Sequence, residues 1–253
     1  MPPSRNWTTT GLLTIWGASA LAQTPLPPPA VAPTLTPFSA AAPGAPPAPW
    51  RVVGLPGNKV PLARVEISPQ DGAPVLSLAT DKSYGSAVHD LPRHARGADA
   101  VLRWRWKLAT PLVGADLRTK AGDDAALKVC ALFDTPLDGL PLTERTLMRI
   151  ARSVSGENLP SASLCYVWDA TLPAGTLLPN AFSARVRYLV VNGAETPPGR
   201  WVSHERRLSK DFLMVFGHEV SSVPPLIAIA VGADSDNTGG KSLGYVGDVT
   251  LAP

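Results

Sequence analysis

Cysteine, histidine, net charge and long apolar runs are all scarce in this chain, and each scarcity removes a class of chemistry. There are only two cysteines and four histidines. No histidine sits in an H-E-x-x-H pattern and no cysteine in a C-x-x-C pattern, so a zinc centre is not expected. Charged residues make up 17% of the sequence, and the formal net charge is only +3. Lys and Arg interleave with aromatics only in the short run Arg103 to Lys107, too little for a basic patch, so a nucleic-acid partner is not expected. No apolar run reaches the ~20 residues that a membrane-crossing helix needs. The pattern G-x-S-x-G occurs at Gly240 to Gly244 but leads into a strand-like run and not a helix, so no nucleophile elbow is expected. A phosphate loop and a dinucleotide fingerprint are missing, and nucleotide chemistry loses its usual markers.

What is abundant is punctuation, with 28 Pro and 21 Gly. The N-terminus has Arg5, then the apolar stretch Gly11 to Ala22 ending in Ala20-Leu21-Ala22. A basic start, a short apolar segment and a small-x-small site are the pattern of a secretory signal peptide over residues 1–22. The expected location is therefore periplasmic or secreted. Residues 23–49 carry ten prolines. Pro fixes φ and removes donors, so this segment reads as a disordered, extended linker with no core of its own. The folded domain is expected over residues 50–253.

Within that domain, short strand-like runs recur between turn residues. They are Pro61 to Ile67, Pro74 to Thr80, Ala98 to Leu108, Ala125 to Phe133, Ser163 to Trp168, Ser183 to Asn192, Trp201 to Arg207, Leu226 to Val231 and Leu243 to Leu251. Asn192-Gly193 is a hairpin signal. Two short helices are expected, one over Glu144 to Arg152 capped by Thr143 and one over Lys210 to Phe216 capped by Ser209 and stopped by Gly217. Many short strands with few helices predict a mainly β protein, an antiparallel β-sandwich of jelly-roll type.

The stretch that draws chemistry together is Asp116 to Asp134. Its polar part ends in Asp123-Asp124 and runs into Ala125 to Phe133, apolar on both faces except for Lys128. That reads as a central strand, and a charge so deep in a strand requires a partner. Trp104 and Trp106 fall on one strand face, with Arg103, Arg105 and Lys107 on the other. The Trp pair is either a stacking platform or core. Arg185 and Arg187 form a second basic stripe. On neighbouring strands the two stripes would make one surface suited to carboxylates, or they pair across strands with Asp123, Glu205 or Asp211. Ala233 to Gly240 alternates acids as a calcium loop does, but Tyr245 stands where the bidentate Glu belongs. Asp234, Asp236 and Asp248 are the candidate metal ligands, with calcium as the candidate ion. Cys130 and Cys165 either pair, as an oxidising compartment allows, or stay buried thiols.

Several segments together resemble a bacterial family catalogued as domain of unknown function 3047. They are W-R-W-K at Trp104 to Lys107, D-L-x-x-K-A-G-D-D at Asp116 to Asp124, and Y-V-W at Tyr166 to Trp168. The set continues with E-R-x-L-x-x-D-F at Glu205 to Phe212, F-G at Phe216-Gly217, D-x-D-N-T at Asp234 to Thr238 and G-D at Gly247-Asp248. The resemblance implies an exported β-sandwich and supplies no catalytic residues. Lys128 stands where such proteins would carry Arg, and Cys130 where a bulkier apolar residue is expected.

Three functional classes follow. The first is a binding module for a carbohydrate or envelope glycan, or for a small anionic ligand. Its candidate residues are Trp104, Lys120, Asp123, Asp124, Lys128, Trp168, Arg185, Glu205, Asp211, Asp234, Asp236 and Asn237. The second is a glycan-active hydrolase or lyase drawing acid and base from Asp123, Asp124, Glu205 and Asp211. The third is an envelope assembly factor that uses the Pro-rich arm. Nothing in the sequence specifies an oligomeric state.

Overall fold

The computed structural model describes residues 34–91, 99–134, 137–139, 142–155 and 160–252. The expected signal peptide and residues 23–33 of the expected linker lie outside them. Among the described residues thirteen strands form two sheets packed face to face, with two helices. In chain order the strands begin with β1 (Arg51–Val53), β2 (Arg64–Gln70), β3 (Ala73–Asp81), β4 (Tyr84–Asp90), β5 (Val101–Thr110) and β6 (Leu127–Phe133). Helix α1 (Leu142–Ser155) follows, then β7 (Ala162–Trp168), β8 (Leu177–Pro179), β9 (Val186–Asn192) and β10 (Val202–Arg207). After helix α2 (Leu208–Phe216) come β11 (Leu226–Asp234), β12 (Lys241–Val246) and β13 (Thr250–Ala252). The seven-stranded sheet runs β1-β4-β11-β6-β7-β9-β8, and the six-stranded sheet runs β10-β5-β12-β3-β2 with β13 beside β5. The fold is therefore the mainly β sandwich that the strand spacing predicts.

The period-two alternation of each strand decides what lies between the sheets. From β5, Leu102, Trp104, Trp106 and Leu108 point inward; from β6, Leu127, Val129, Ala131 and Phe133 do so. Tyr166 and Trp168 of β7 complete the same layer, and Trp104 packs on Trp106 and Tyr166 at centroid separations of 5.5 and 5.1 Å. The outer face of β6 and β7 is also covered, by a second apolar cluster that includes Leu117, Val167, Leu172 and Val190. This double cover explains why β6 reads as apolar on both faces.

Several expectations need correction. The segment 23–49 is not all linker. Residues 34–49 pack on the domain, with Leu35 and Phe38 buried in the main core and the Trp50 indole donating to the Thr36 carbonyl at 2.8 Å. β4 escapes a periodicity search because Tyr-Gly-Ser-Ala-Val-His-Asp is small and polar, yet it lies buried between β1 and β11. Asn192-Gly193 does not make a hairpin, since β9 and β10 belong to different sheets. β7 and β9 pair in parallel, the intervening 169–185 being long enough for a crossover. The run Leu243 to Leu251 is two strands, β12 and β13. Helix α2 starts at Leu208 with Arg207 as its cap and no side-chain bond there. Gly217 keeps right-handed φ; its constraint is space, because a Cβ would lie 2.2 Å from the Leu213 carbonyl oxygen.

Candidate functional site

The sheet register lays out a trough on the outer face of the seven-stranded sheet. In β11, Ala228, Ala230 and Gly232 alternate with the inward Ile229 and Val231, and Asp234 ends the outer row. Their neighbours in β6 are Leu132, Cys130 and Lys128, and in β4 they are Asp90, Val88 and Ser86. β7 adds Ser163 and Cys165, and β9 adds Val186 and Tyr188. Small side chains in the middle strand leave room that larger ones would fill. The resulting cavity measures ≈ 320 Å³ and is walled on one side by Gly54, Leu55 and Pro56. Cys130 and Cys165 face each other across β6 and β7 and form a disulfide, with their Cα atoms 4.0 Å apart, so the bond is part of the trough floor.

One end of the trough is polar and closed. The Lys128 ammonium donates to Asp234 Oδ2 at 2.7 Å and lies 4.7 Å from the centre of the Tyr84 ring. Both charged side chains are only 8% exposed. Burial works against the Lys128 charge, but the Asp234 carboxylate more than offsets it, so the ammonium is held above its ordinary pKa. Asp234 Oδ1 accepts from the Ala125 backbone N–H at 2.7 Å, which ties the start of β6 to the end of β11. Asn180 Nδ2 donates both to Asp123 Oδ2 and, at 2.8 Å, to the Tyr188 hydroxyl. Asp123 Oδ1 is buried with no hydrogen-bond partner among the described residues. Burial pushes Asp123 up to about 6, against a downward pull from the Tyr188 hydroxyl.

The expected residues divide into those that meet here and those that do not. Asp123, Asp124, Lys128, Asp234, Asp236 and Asn237 converge. Asp124 accepts from the Asn237 N–H and side-chain amide at 3.1 Å and from the Thr238 N–H at 2.6 Å, clamping the loop after β11. Trp104 and Trp168 are buried between the sheets and present no platform. Glu205 pairs with Arg103 at 2.8 Å on the outer face of the other sheet. Asp211 is taken up by Arg206 at 2.7 Å and by the Tyr166 hydroxyl at 2.9 Å. Lys120 is exposed above the Phe182 ring. Arg185 pairs with Glu219 and Glu144, and Arg187 with Glu219, so the two basic stripes lie on different sheets and form no common surface. Among the pairings expected for the stripes, only that of Glu205 is present.

The metal expectation changes as well. Asp248 is remote, accepting from the Ser39 N–H and hydroxyl at 2.9 and 2.6 Å. Asp124, Asp234 and Asp236 instead bring carboxylate oxygens within 4.8 Å of one another. Asp124 and Asp234 already spend their oxygens on protein donors, one of them the Lys128 ammonium. Calcium takes about 6–8 oxygens, and this set does not suit it.

Tyr84, Asn180 and Tyr188 were not foreseen, and neither was the small-residue row of β11. The signal for that row was present, as the A-x-A-x-G-x-D spacing from Ala228 to Asp234.

The sequence model of the family described as "Protein of unknown function (DUF3047)" matches residues 48–250. Among curated proteins none matches the chain. Among solved structures, a family 11 carbohydrate-binding module from Clostridium thermocellum, in complex with a β-1,3-1,4-mixed-linked tetrasaccharide, is similar at 10% identity and a TM-score of 0.41, covering 87% of this chain and 96% of that one. A family 12 xyloglucanase from Bacillus licheniformis, in complex with ligand, is similar at 11% identity and a TM-score of 0.44, covering 84% and 100%. The K3 adhesin domain of Lys-gingipain from Porphyromonas gingivalis is similar at 10% identity and a TM-score of 0.38, covering 87% and 99%. All are loose likenesses.

Proposed function

From the premise that the chain belongs to the family described as protein of unknown function DUF3047, we propose that it is an exported binding module holding a short neutral glycan in the trough. The observation that carries this reading is the ≈ 320 Å³ cavity with a buried lysine–aspartate pair at its closed end. Pockets of that size with a few placed polar groups hold small ligands. Lys128 offers donors, and the Tyr84 and Ser86 hydroxyls that line the cavity with it offer acceptors, which suits the hydroxyls of a sugar. A small anion fits poorly, because one ammonium there faces the carboxylates of Asp124, Asp234 and Asp236, with Asp123 behind them. Export is supported by the signal-like N-terminus and by a disulfide, a bond that oxidising compartments preserve.

The test is calorimetric titration of the purified protein with a panel of neutral mono- and oligosaccharides, alongside Tyr84→Ala. Saturable binding is expected, weakened about five- to thirtyfold in the variant by loss of ~1–2 kcal/mol. No saturable binding at millimolar ligand, with a cooperative melt proving the protein folded, overturns the proposal.

A second reading, a glycan-active enzyme, is favoured by one observation: Asp123 is a buried carboxyl pushed up to about 6 behind the trough end. A carboxyl that keeps its proton to that pH is in the protonation state a general acid needs. Reducing-sugar release from soluble polysaccharides should then fall as pH rises through about 6 and vanish in Asp123→Asn. Absence of turnover by the wild-type protein removes this reading. The assembly-factor reading rests on the Pro-rich arm over residues 23–49, of which 34–49 pack on the domain, and it gains no support from the described residues.

A further inference from the structure

The trough is chemically divided along its length, and we infer that its ligand is divided in the same way: a neutral sugar unit bearing a short aliphatic substituent. This inference rests on the sugar-binding reading above. The polar row, set by register, is Ser86, Gly232 and Lys128. One row along the strands, the floor is Val88, Ala230 and the Cys130–Cys165 disulfide, with Tyr188 beside it; the next is Ala228, Leu132, Ser163 and Val186, with Asp90 at its β4 side paired to Arg51. Two residues of strand separate successive rows, so the aliphatic part extends about 13 Å from Lys128. A bare oligosaccharide would place hydroxyls over that floor, where Ser163 is the polar side chain between Ala228 and Val186, and the Asp90 and Arg51 that also line this end are paired with each other. Hydroxyls without partners are costly to bury, whereas methylenes gain by burial.

The polar row asks for the opposite. Lys128 has three N–H donors, spends one on Asp234, and lines the trough while its side chain is 8% exposed. Aliphatic ligand atoms cannot satisfy the remaining donors, but a hydroxyl-bearing head group can. The acids around Lys128 select a neutral head over an anionic one. A sugar head at Lys128 with an alkyl or acyl tail over Ala230 and Leu132 meets both demands at once.

The experiment titrates the full chain with methyl, butyl, hexyl and octyl glycosides of one neutral sugar, below micelle-forming concentrations, and with octane sulfonate as a chain carrying an anionic head. Affinity is expected to rise about two- to fourfold per methylene until the trough is filled. In Ala230→Leu, which occupies the middle row, the dependence of affinity on chain length should flatten. Binding that is equal for methyl and octyl glycosides overturns the inference and leaves the sugar-binding reading standing. Equal affinity for octyl glycoside and octane sulfonate overturns the sugar reading and keeps the aliphatic floor. No binding by any member overturns both.

Discussion

Asp123 is the residue whose environment makes the sharpest prediction. Its folded pKa of about 6 lies above the ordinary 3.8 because the carboxyl is buried. The folded state thus keeps a proton that the unfolded chain has already released, and stability falls as pH rises from about 4 to about 6. Asp123→Asn should flatten the melting temperature across that window and match or exceed wild type at pH ~7; a pH series of thermal melts reads this directly. An unchanged slope contradicts the assignment. Lys128→Met should cost ~3–5 kcal/mol in urea unfolding, because Asp234 stays buried and charged, and Lys128→Met/Asp234→Leu should recover most of that. That Lys128 needs a partner was legible, since a lone charge in an apolar strand cannot stand unpaired. Which partner was not, because Asp234 lies 106 positions away. Trp104 shows the same limit. Its phase along β5 is readable, but whether that phase faces solvent or core depends on a second sheet.

At the scale of elements, β6 and β11 position nearly everything. In β11, Ile229 and Val231 put bulk inward while Ala228, Ala230 and Gly232 stay small outward, and the trough exists because of that choice. The row was written in the sequence, but small residues give no hydrophobic periodicity, so β4 and the outer row of β11 pass unnoticed beside Ile229 and Val231. Hairpin chemistry misled for another reason. Asn192-Gly193 is a turn, but the chain leaves it for the opposite sheet, a choice no local signal encodes. The Cys130–Cys165 bond closes a 35-residue loop across β6 and β7. Replacing both cysteines with alanine should lower stability by ~2–4 kcal/mol in scanning calorimetry. A loss under about 0.5 kcal/mol would show that neighbouring strands alone hold the pair in place.

For the whole molecule, the sandwich class followed from strand spacing, while its lower boundary did not. Pro-rich composition argues against an α-helix or a strand ladder, but it is silent on whether scattered apolar residues dock elsewhere. Leu35 and Phe38 do dock, and Phe38 is fully buried. Phe38→Ala should therefore cost ~3–5 kcal/mol, and a chain beginning at residue 50 should melt well below one beginning at residue 34. Equal melting temperatures would return the segment to the status of linker. The central claim, that the outer face of the seven-stranded sheet is the binding surface, is tested most directly by amide chemical-shift mapping with a hexyl glycoside of a neutral sugar. Shifts confined to Tyr84–Val88, Lys128–Leu132 and Ala228–Gly232 are the expected result; shifts centred on Arg103, Arg105 and Trp201 of the other sheet would contradict it.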